Sequence, residues 1–245
     1  MTFDRRSALL TIGGTTLGIV LVACGKKAVD RSSPTTAQEG QSPKETAGPF
    51  PGDGTNGPDV LRDPGVVRSD ITSSIGKYAG RAKGVPVQTK LTVVHARSKA
   101  PYPDAAVYIW HCDAEGRYSL YSEGATNQNY LRGVQAADEA GALTFDTIFP
   151  AAYPGRWPHF HYEVFRSVDE ATNGGTPVLT SQIALPDHAC HAVYEDGDAY
   201  PNSADNMKQT TLQADQVFAD SYQHEIATMK GSAPDGYSLA FTIAV

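Results

Sequence analysis

His159 and His161 stand one residue apart in the run Arg156-Trp157-Pro158-His159-Phe160-His161. On a β-strand alternate residues share a face, so both imidazoles can reach one metal ion. The spacing permits a metal site without requiring one, because a His-x-His pair in a β protein also occurs as a simple hydrogen-bonded pair. Two tyrosines upstream lie in turn contexts where a strand begins or ends. Tyr118 follows Asp113-Ala-Glu-Gly-Arg, and Tyr153 sits within Phe149-Pro-Ala-Ala-Tyr153-Pro-Gly-Arg156. A tyrosine near a turn is ordinarily a half-buried packing residue with its hydroxyl in water. What bears on chemistry is the combination of two phenols and two imidazoles.

These residues need a scaffold, and from Pro86 onward the chain supplies short β-branched and aromatic runs separated by turn signals, the pattern of a sandwich or barrel. The runs predict strands at Val87–Ala96, Ala105–Cys112, Arg117–Tyr121, Ala142–Ile148, His159–Phe165, Val178–Leu185, Ala192–Tyr194, Tyr222–Met229 and Tyr237–Val245. The turns Asp113-Ala-Glu-Gly116 and Glu139-Ala-Gly141 join some of them. The expected fold is an all-β, antiparallel β-sandwich with long loops. The segment Asn202–Ser221 reads as helix or loop. Residues 46–86 are rich in Gly, Pro and Asp with isolated hydrophobics such as Phe50 and Ile71, which predicts an ordered loop region wrapped on the core.

The chain of 245 residues, 40% hydrophobic and 19% charged, can bury a core without disulfides. Its net charge of -7 comes from acids spread along the sequence, so nucleic acid is not an expected partner. Residues 1–24 read as a signal peptide. Arg5-Arg6 precedes an uncharged stretch, and Leu21-Val22-Ala23-Cys24 is similar to a bacterial lipobox, which makes Cys24 the expected lipidation site and the membrane a partner through a lipid anchor. The twin arginines are similar to a twin-arginine export signal. Residues 25–45 are polar and predict a flexible linker, leaving 46–245 as the folded domain. Cys112 and Cys190 are too few for a disulfide framework, and their pairing is open.

Gly116-Arg-Tyr118, followed by Phe145-Asp-Thr-Ile148-Phe-Pro-Ala-Ala-Tyr153-Pro-Gly-Arg156-Trp-Pro-His159-Phe-His161, resembles the signature of intradiol ring-cleavage dioxygenases, the class of catechol 1,2-dioxygenases and protocatechuate 3,4-dioxygenases. Thr46-Ala-Gly-Pro49-Phe50, Trp110-His-Cys-Asp113 and Leu179-Thr-Ser-Gln182-Ile183 extend the resemblance in the family's order. It implies that Tyr118, Tyr153, His159 and His161 are the protein ligands of a non-haem Fe(III). It also implies that a catechol-type substrate reacts with O2 and is cleaved between its two oxygenated carbons to a cis,cis-muconate-type diacid. The donor types agree, since ferric iron favours anionic oxygen and a bound cation lowers the pKa of its own ligands. By the same resemblance Tyr153 is the ligand that substrate displaces and Arg156 stabilises negative charge on the ring. Gln182 supports that arginine, and Thr46, Pro49 and Phe50 line the substrate pocket.

Where catechol 1,2-dioxygenases carry a helical N-terminal region that forms their dimer, this chain has the lipobox and linker, so the oligomeric state is open. The insertion-like segment Arg166–Pro177 lengthens the loop before Gln182. A cupin-type metalloprotein also uses His-x-His, but it wants a carboxylate near Phe165 and Arg166 and gives no role to the tyrosines. A lipid-anchored binding module without turnover is the alternative from outside the enzymes. His95, His111 and His224 read as single hydrogen-bonded or edge residues, and His188 and His191 flank Cys190 in an apparent loop where a second metal site is at most a minor reading.

Overall fold

The computed structural model describes residues 40–195 and 197–245. The signal segment, Cys24 and residues 25–39 of the expected linker lie outside the described residues. The end of that linker is held against the domain: Ser42 donates its N–H to the Ala244 carbonyl at 3.0 Å and accepts the Ala244 N–H at 2.9 Å, and Glu45 donates to the Thr180 carbonyl at 2.9 Å.

Eight strands form two four-stranded sheets. The first holds β1 (Pro86–Val94), β4 (Ala142–Ile148), β7 (Thr228–Ser232) and β8 (Gly236–Ala244) in the order β4-β1-β8-β7. The second holds β2 (Ala106–Trp110), β3 (Arg132–Ala136), β5 (His159–Phe165) and β6 (Leu179–Ala184) in the order β3-β2-β5-β6. The all-β sandwich is as expected, with one departure: β1 and β8 pair in parallel, because the chain crosses the second sheet before returning beside its first strand.

The two sheets differ in how they bury residues. In β1 the alternating residues Val87, Thr89, Leu91 and Val93 are buried and those between are more exposed, the pattern of a sheet with one solvated face. In β5 every residue is buried. Phe160 and Tyr162 face the opposite sheet, where Tyr162 lies 6.4 Å from the Phe241 ring. His159, His161 and Glu163 face outward beneath the loops of residues 46–85. Those loops are irregular but ordered: Tyr108 donates to the Pro51 carbonyl at 2.7 Å, and Arg68 donates to the Arg132 carbonyl at 2.7 Å. The covered outer face of this sheet holds the candidate site.

Four predicted strands or loops are different in the structure. Arg117–Tyr121 is a series of turns, in which Leu120 has a φ of 73° and Ser122 donates to the Tyr118 carbonyl at 2.9 Å. The ladder position beside β2 is filled by β3, whose sequence Arg-Gly-Val-Gln-Ala has too little apolar alternation to read as a strand. Ala192–Tyr194 is the end of helix α2 (Asp187–Tyr194), which starts after Pro186. Tyr222–Met229 divides into a 3-10 turn over Tyr222–His224 and the start of β7. The inserted loop contains helix α1 (Val168–Thr172), capped by Ser167 accepting the Glu170 N–H at 3.2 Å. Within 202–221 only Ser203–Met207 is α-helical (α3).

Both described cysteines are buried free thiols. His111 is a hydrogen-bonded core residue: Nδ1 lies 2.8 Å from the Cys112 carbonyl and Nε2 lies 2.7 Å from Thr147 Oγ1. His95 stacks on Tyr102 with ring centres 4.4 Å apart. His188 and His191 are on α2 rather than in a loop, and His191 faces the exposed Asp187 one turn back at 3.3 Å.

Candidate metal centre

The pairing registers align one row of side chains across the second sheet. Arg132 is opposite Trp110, Trp110 opposite His161, and His161 opposite Gln182. Residues opposite one another share a face, so this row lies on the outer face under the loops. His159 is two positions along β5 on the same face. Tyr118 enters from the turns after β2, and Tyr153 from the loop between β4 and β5.

Four polar atoms converge. Tyr118 Oη is 3.3 Å from Tyr153 Oη, 3.5 Å from His159 Nε2 and 3.2 Å from His161 Nε2. His159 Nε2 is 3.1 Å from Tyr153 Oη and 3.1 Å from His161 Nε2. Tyr118, His159 and His161 are buried, and Tyr153 is half-buried. His159 Nδ1 donates to the Trp157 carbonyl, which leaves Nε2 as a lone pair directed into the cluster. His161 is oriented by stacking, its ring 4.9 Å from Trp110 at an interplanar angle of 6°. Over it passes Gly48, with φ of 69°, where a Cβ would come within 3.2 Å of His161 Cε1. Only glycine supplies both that backbone angle and that clearance without strain.

Burial decides the protonation of these groups. It pushes the Tyr118 phenol well up and Tyr153 to about 12. Burial, and then the Arg156 charge, pushes His159 down to about 3, while burial and then His159 push His161 well down. Without a cation the site is therefore two neutral phenols and two neutral imidazoles. The arrangement fits a metal ion in two respects. Bonds of about 2.0–2.2 Å to nitrogen and oxygen place neighbouring donors roughly 3 Å apart, the spacing these four atoms have. His159 Nε2 and His161 Nε2 also lie only 3.1 Å apart, and two imidazole nitrogens that close can both present lone pairs only to a shared cation.

Arg156 and Gln182 meet beside this cluster. Arg156 Nη2 donates to Gln182 Oε1 at 2.7 Å, and Gln182 Nε2 donates to the Thr46 carbonyl at 2.9 Å. Phe50 packs with its ring 4.9 Å from that of Tyr118. Thr46 and Pro49 are exposed. The Thr46 hydroxyl accepts the Gly48 N–H at 3.0 Å, and the Pro49 carbonyl accepts a hydrogen bond from Asn56 at 2.7 Å. Both thus shape the loop over His161.

Three residues to which the sequence assigned no role at the site organise it. Asp215, fully buried, accepts Arg156 Nε at 2.9 Å. Asp113 Oδ1 accepts the N–H groups of Glu115 and Arg117, each at 2.9 Å, and Oδ2 accepts the Tyr130 hydroxyl at 3.1 Å, closing the turn that delivers Tyr118. Arg132, fully buried, donates to Ser119 Oγ at 3.0 Å, to the Ser119 carbonyl at 3.0 Å and to the Pro51 carbonyl at 2.8 Å. It joins the Tyr118 turn to the loop carrying Phe50. The turn at Asp113 was visible in the sequence, but Arg156 lies 59 residues from Asp215 and Pro51 lies 81 residues from Arg132, beyond any local signal.

Residues 62–168 match the family model described as Dioxygenase. That segment contains Tyr118, Tyr153, Arg156, His159 and His161. No curated protein sequence matches the chain. Among solved structures, an intradiol ring-cleavage dioxygenase from Tetranychus urticae is similar at 22% identity and a TM-score of 0.63, over 83% of this chain and 93% of that one. The dioxygenase domain of a dioxygenase carbohydrate-binding protein fusion from Streptomyces sp. SirexAA-E is similar at 20% identity and a TM-score of 0.53, over 84% and 97%. A 3-chlorocatechol 1,2-dioxygenase from Rhodococcus opacus 1CP is similar at 16% identity and a TM-score of 0.51, over 84% and 73%. A Dioxygenase sequence segment thus spans the converging tyrosines and histidines, and the sandwich around it has the fold of solved intradiol ring-cleavage dioxygenases.

Proposed function

We propose that this protein is a non-haem Fe(III) dioxygenase that cleaves catechol-type diols between the two oxygenated carbons, giving cis,cis-muconate-type diacids. The observation that carries the reading is the convergence of two phenol oxygens and two imidazole nitrogens, five of whose six separations are 3.1–3.5 Å. Tyr118, Tyr153, His159 and His161 would hold the metal. When bound, a ferric ion would supply the positive charge that turns the phenols into phenolates and activates a chelated diol toward O2.

The chain's own residues divide the remaining work. Tyr153 is the more accessible phenol, so, where a bound cation had made it a phenolate, its Oη would be the base that accepts a hydroxyl proton from the incoming diol. Tyr118, buried against Phe50 and His161, stays in place. Arg156 keeps Nη1 free of hydrogen bonds among the described residues, while Nε and Nη2 are engaged by Asp215 and Gln182. Nη1 is therefore the donor available to negative charge developing on the ring. Phe50 and Phe218 exclude water from the site's walls, Phe218 with its ring 6.1 Å from that of His159.

The visible absorption spectrum of iron-supplied protein, recorded anaerobically with and without catechol, tests the reading. A phenolate-to-Fe(III) charge-transfer band that shifts with catechol and is lost or displaced in Tyr118→Phe and Tyr153→Phe is the expected result. A colourless protein free of iron would refute it and favour a binding module.

We further propose export and lipid anchoring at Cys24, on the support of the Arg5-Arg6 and Leu21–Cys24 patterns. Membrane association in fractionated cells that is lost on Cys24→Ser tests it, and a wild-type protein found only in the soluble fraction would refute it.

A further inference from the structure

We infer that Asp215 is a positioning residue for the proposed ring cleavage, setting Arg156 and Phe218 against the metal centre with a single carboxylate. The inference rests on the ring-cleavage reading. Asp215 comes from the irregular segment after α3, far in sequence from every ligand, yet it is fully buried beside the centre. Its oxygens accept Arg156 Nε at 2.9 and 3.2 Å, the Trp157 N–H at 2.6 Å, the Val217 N–H at 2.9 Å and the Phe218 N–H at 3.2 Å.

Each partner has a place in the site. Trp157 carries the carbonyl that fixes the His159 tautomer. The Phe218 ring lies 5.7 Å from the Arg156 guanidinium carbon and 6.1 Å from the His159 ring. With Nε on Asp215 and Nη2 on Gln182, the guanidinium plane is defined by two anchors and Nη1 is the corner left over. Hydrogen bonds to a carboxylate are stronger than those to a neutral oxygen. An uncharged replacement would therefore leave Arg156 held chiefly by Gln182 and able to swing.

A double-mutant cycle on the iron-loaded, full-length protein separates this role from general support of the fold. Asp215→Asn, Arg156→Ala and the double variant are assayed for kcat and KM on catechol, with iron content and the visible band of each variant recorded. A catalytic group displaced by about 1 Å costs on the order of 10²-fold. Asp215→Asn is thus expected to lose about that factor in kcat while keeping its iron and its band. In the Arg156→Ala background the same substitution is expected to change kcat by less than about threefold.

Equal losses in both backgrounds would overturn the inference. If Asp215→Asn does not fold, Asp215→Glu replaces it in the cycle, because the charge is kept and only its reach changes, and the same non-additivity is expected. Wild-type protein that binds no iron and turns over no catechol would overturn the ring-cleavage reading and this role with it. An active wild type with additive losses would overturn the role of Asp215 alone.

Discussion

Glu225→Gln should stabilise the protein, increasingly so as pH rises. Glu225 is fully buried: Oε2 accepts the Ser221 hydroxyl at 2.7 Å, and Oε1 has no partner among the described residues. The same hydroxyl lies 3.2 Å from Asp220 and 3.4 Å from Glu45. A hydroxyl has one proton to give, so three carboxylates compete for it. Burial, then repulsion from Glu45 and Asp220, lifts Glu225 from an ordinary value near 4.5 to about 8. The fold therefore favours the protonated acid. Its stabilising contribution is fully present below about 4.5 and is lost as pH rises through about 8.

At about 1.36 kcal/mol per tenfold, the loss reaches on the order of 3 kcal/mol by pH 7. His111 and His159, held near 3, act in the opposite direction below about 6.5 because the fold prefers their neutral form. The informative quantity is therefore the difference between variant and parent. Urea denaturation from pH 5 to 8.5 should give near-equal stabilities at the acid end and a variant more stable by about 4 kcal/mol at pH 8. Parallel curves, separated by the same amount at every pH, would refute the argument.

Two further substitutions test how the loops support the site. Gly48→Ala places a Cβ 3.2 Å from His161 Cε1 at a φ of 69°. It should cost about 1–2 kcal/mol in backbone strain, and bound iron should fall more than the melting temperature does; full iron content with an unchanged band would contradict it. Arg132→Met leaves the buried Ser119 carbonyl and hydroxyl oxygen without their donor, while the Pro51 carbonyl keeps the Tyr108 hydroxyl. At about 1–3 kcal/mol for each acceptor left unsatisfied, a fall of roughly 10 °C in melting temperature is expected. Melting within about 2 °C of the parent would contradict it.

The local chemistry of the site was largely legible in the sequence. His159 and His161 share a face because a strand alternates. The turn at Asp113 follows from an Asp whose side chain can accept the N–H groups of the residues after it. The strong alternating or apolar runs of β1, β2, β4, β5 and β8 were legible for the same reason, as each carries its own burial signal. β3 was not legible, since Arg132 and Gly133 have no strand preference and are held there by the ladder to β2. Nor was the helix at Asp187–Tyr194, where a short apolar run satisfies either period.

By itself the sequence determined which groups are available, namely phenols, imidazoles and a guanidinium in a fixed order, and the alternation that points two imidazoles the same way. Only the tertiary structure decided that Tyr118, delivered by turns, meets Tyr153 and the histidines, and that Gly48 passes over His161. It also decided that Asp215, 59 residues from Arg156, is the carboxylate that holds it. The physical reason is range. Periodicity and turn chemistry act over a few residues, whereas the contacts that set the site are made across loops and sheets whose pairing depends on burial of the whole core.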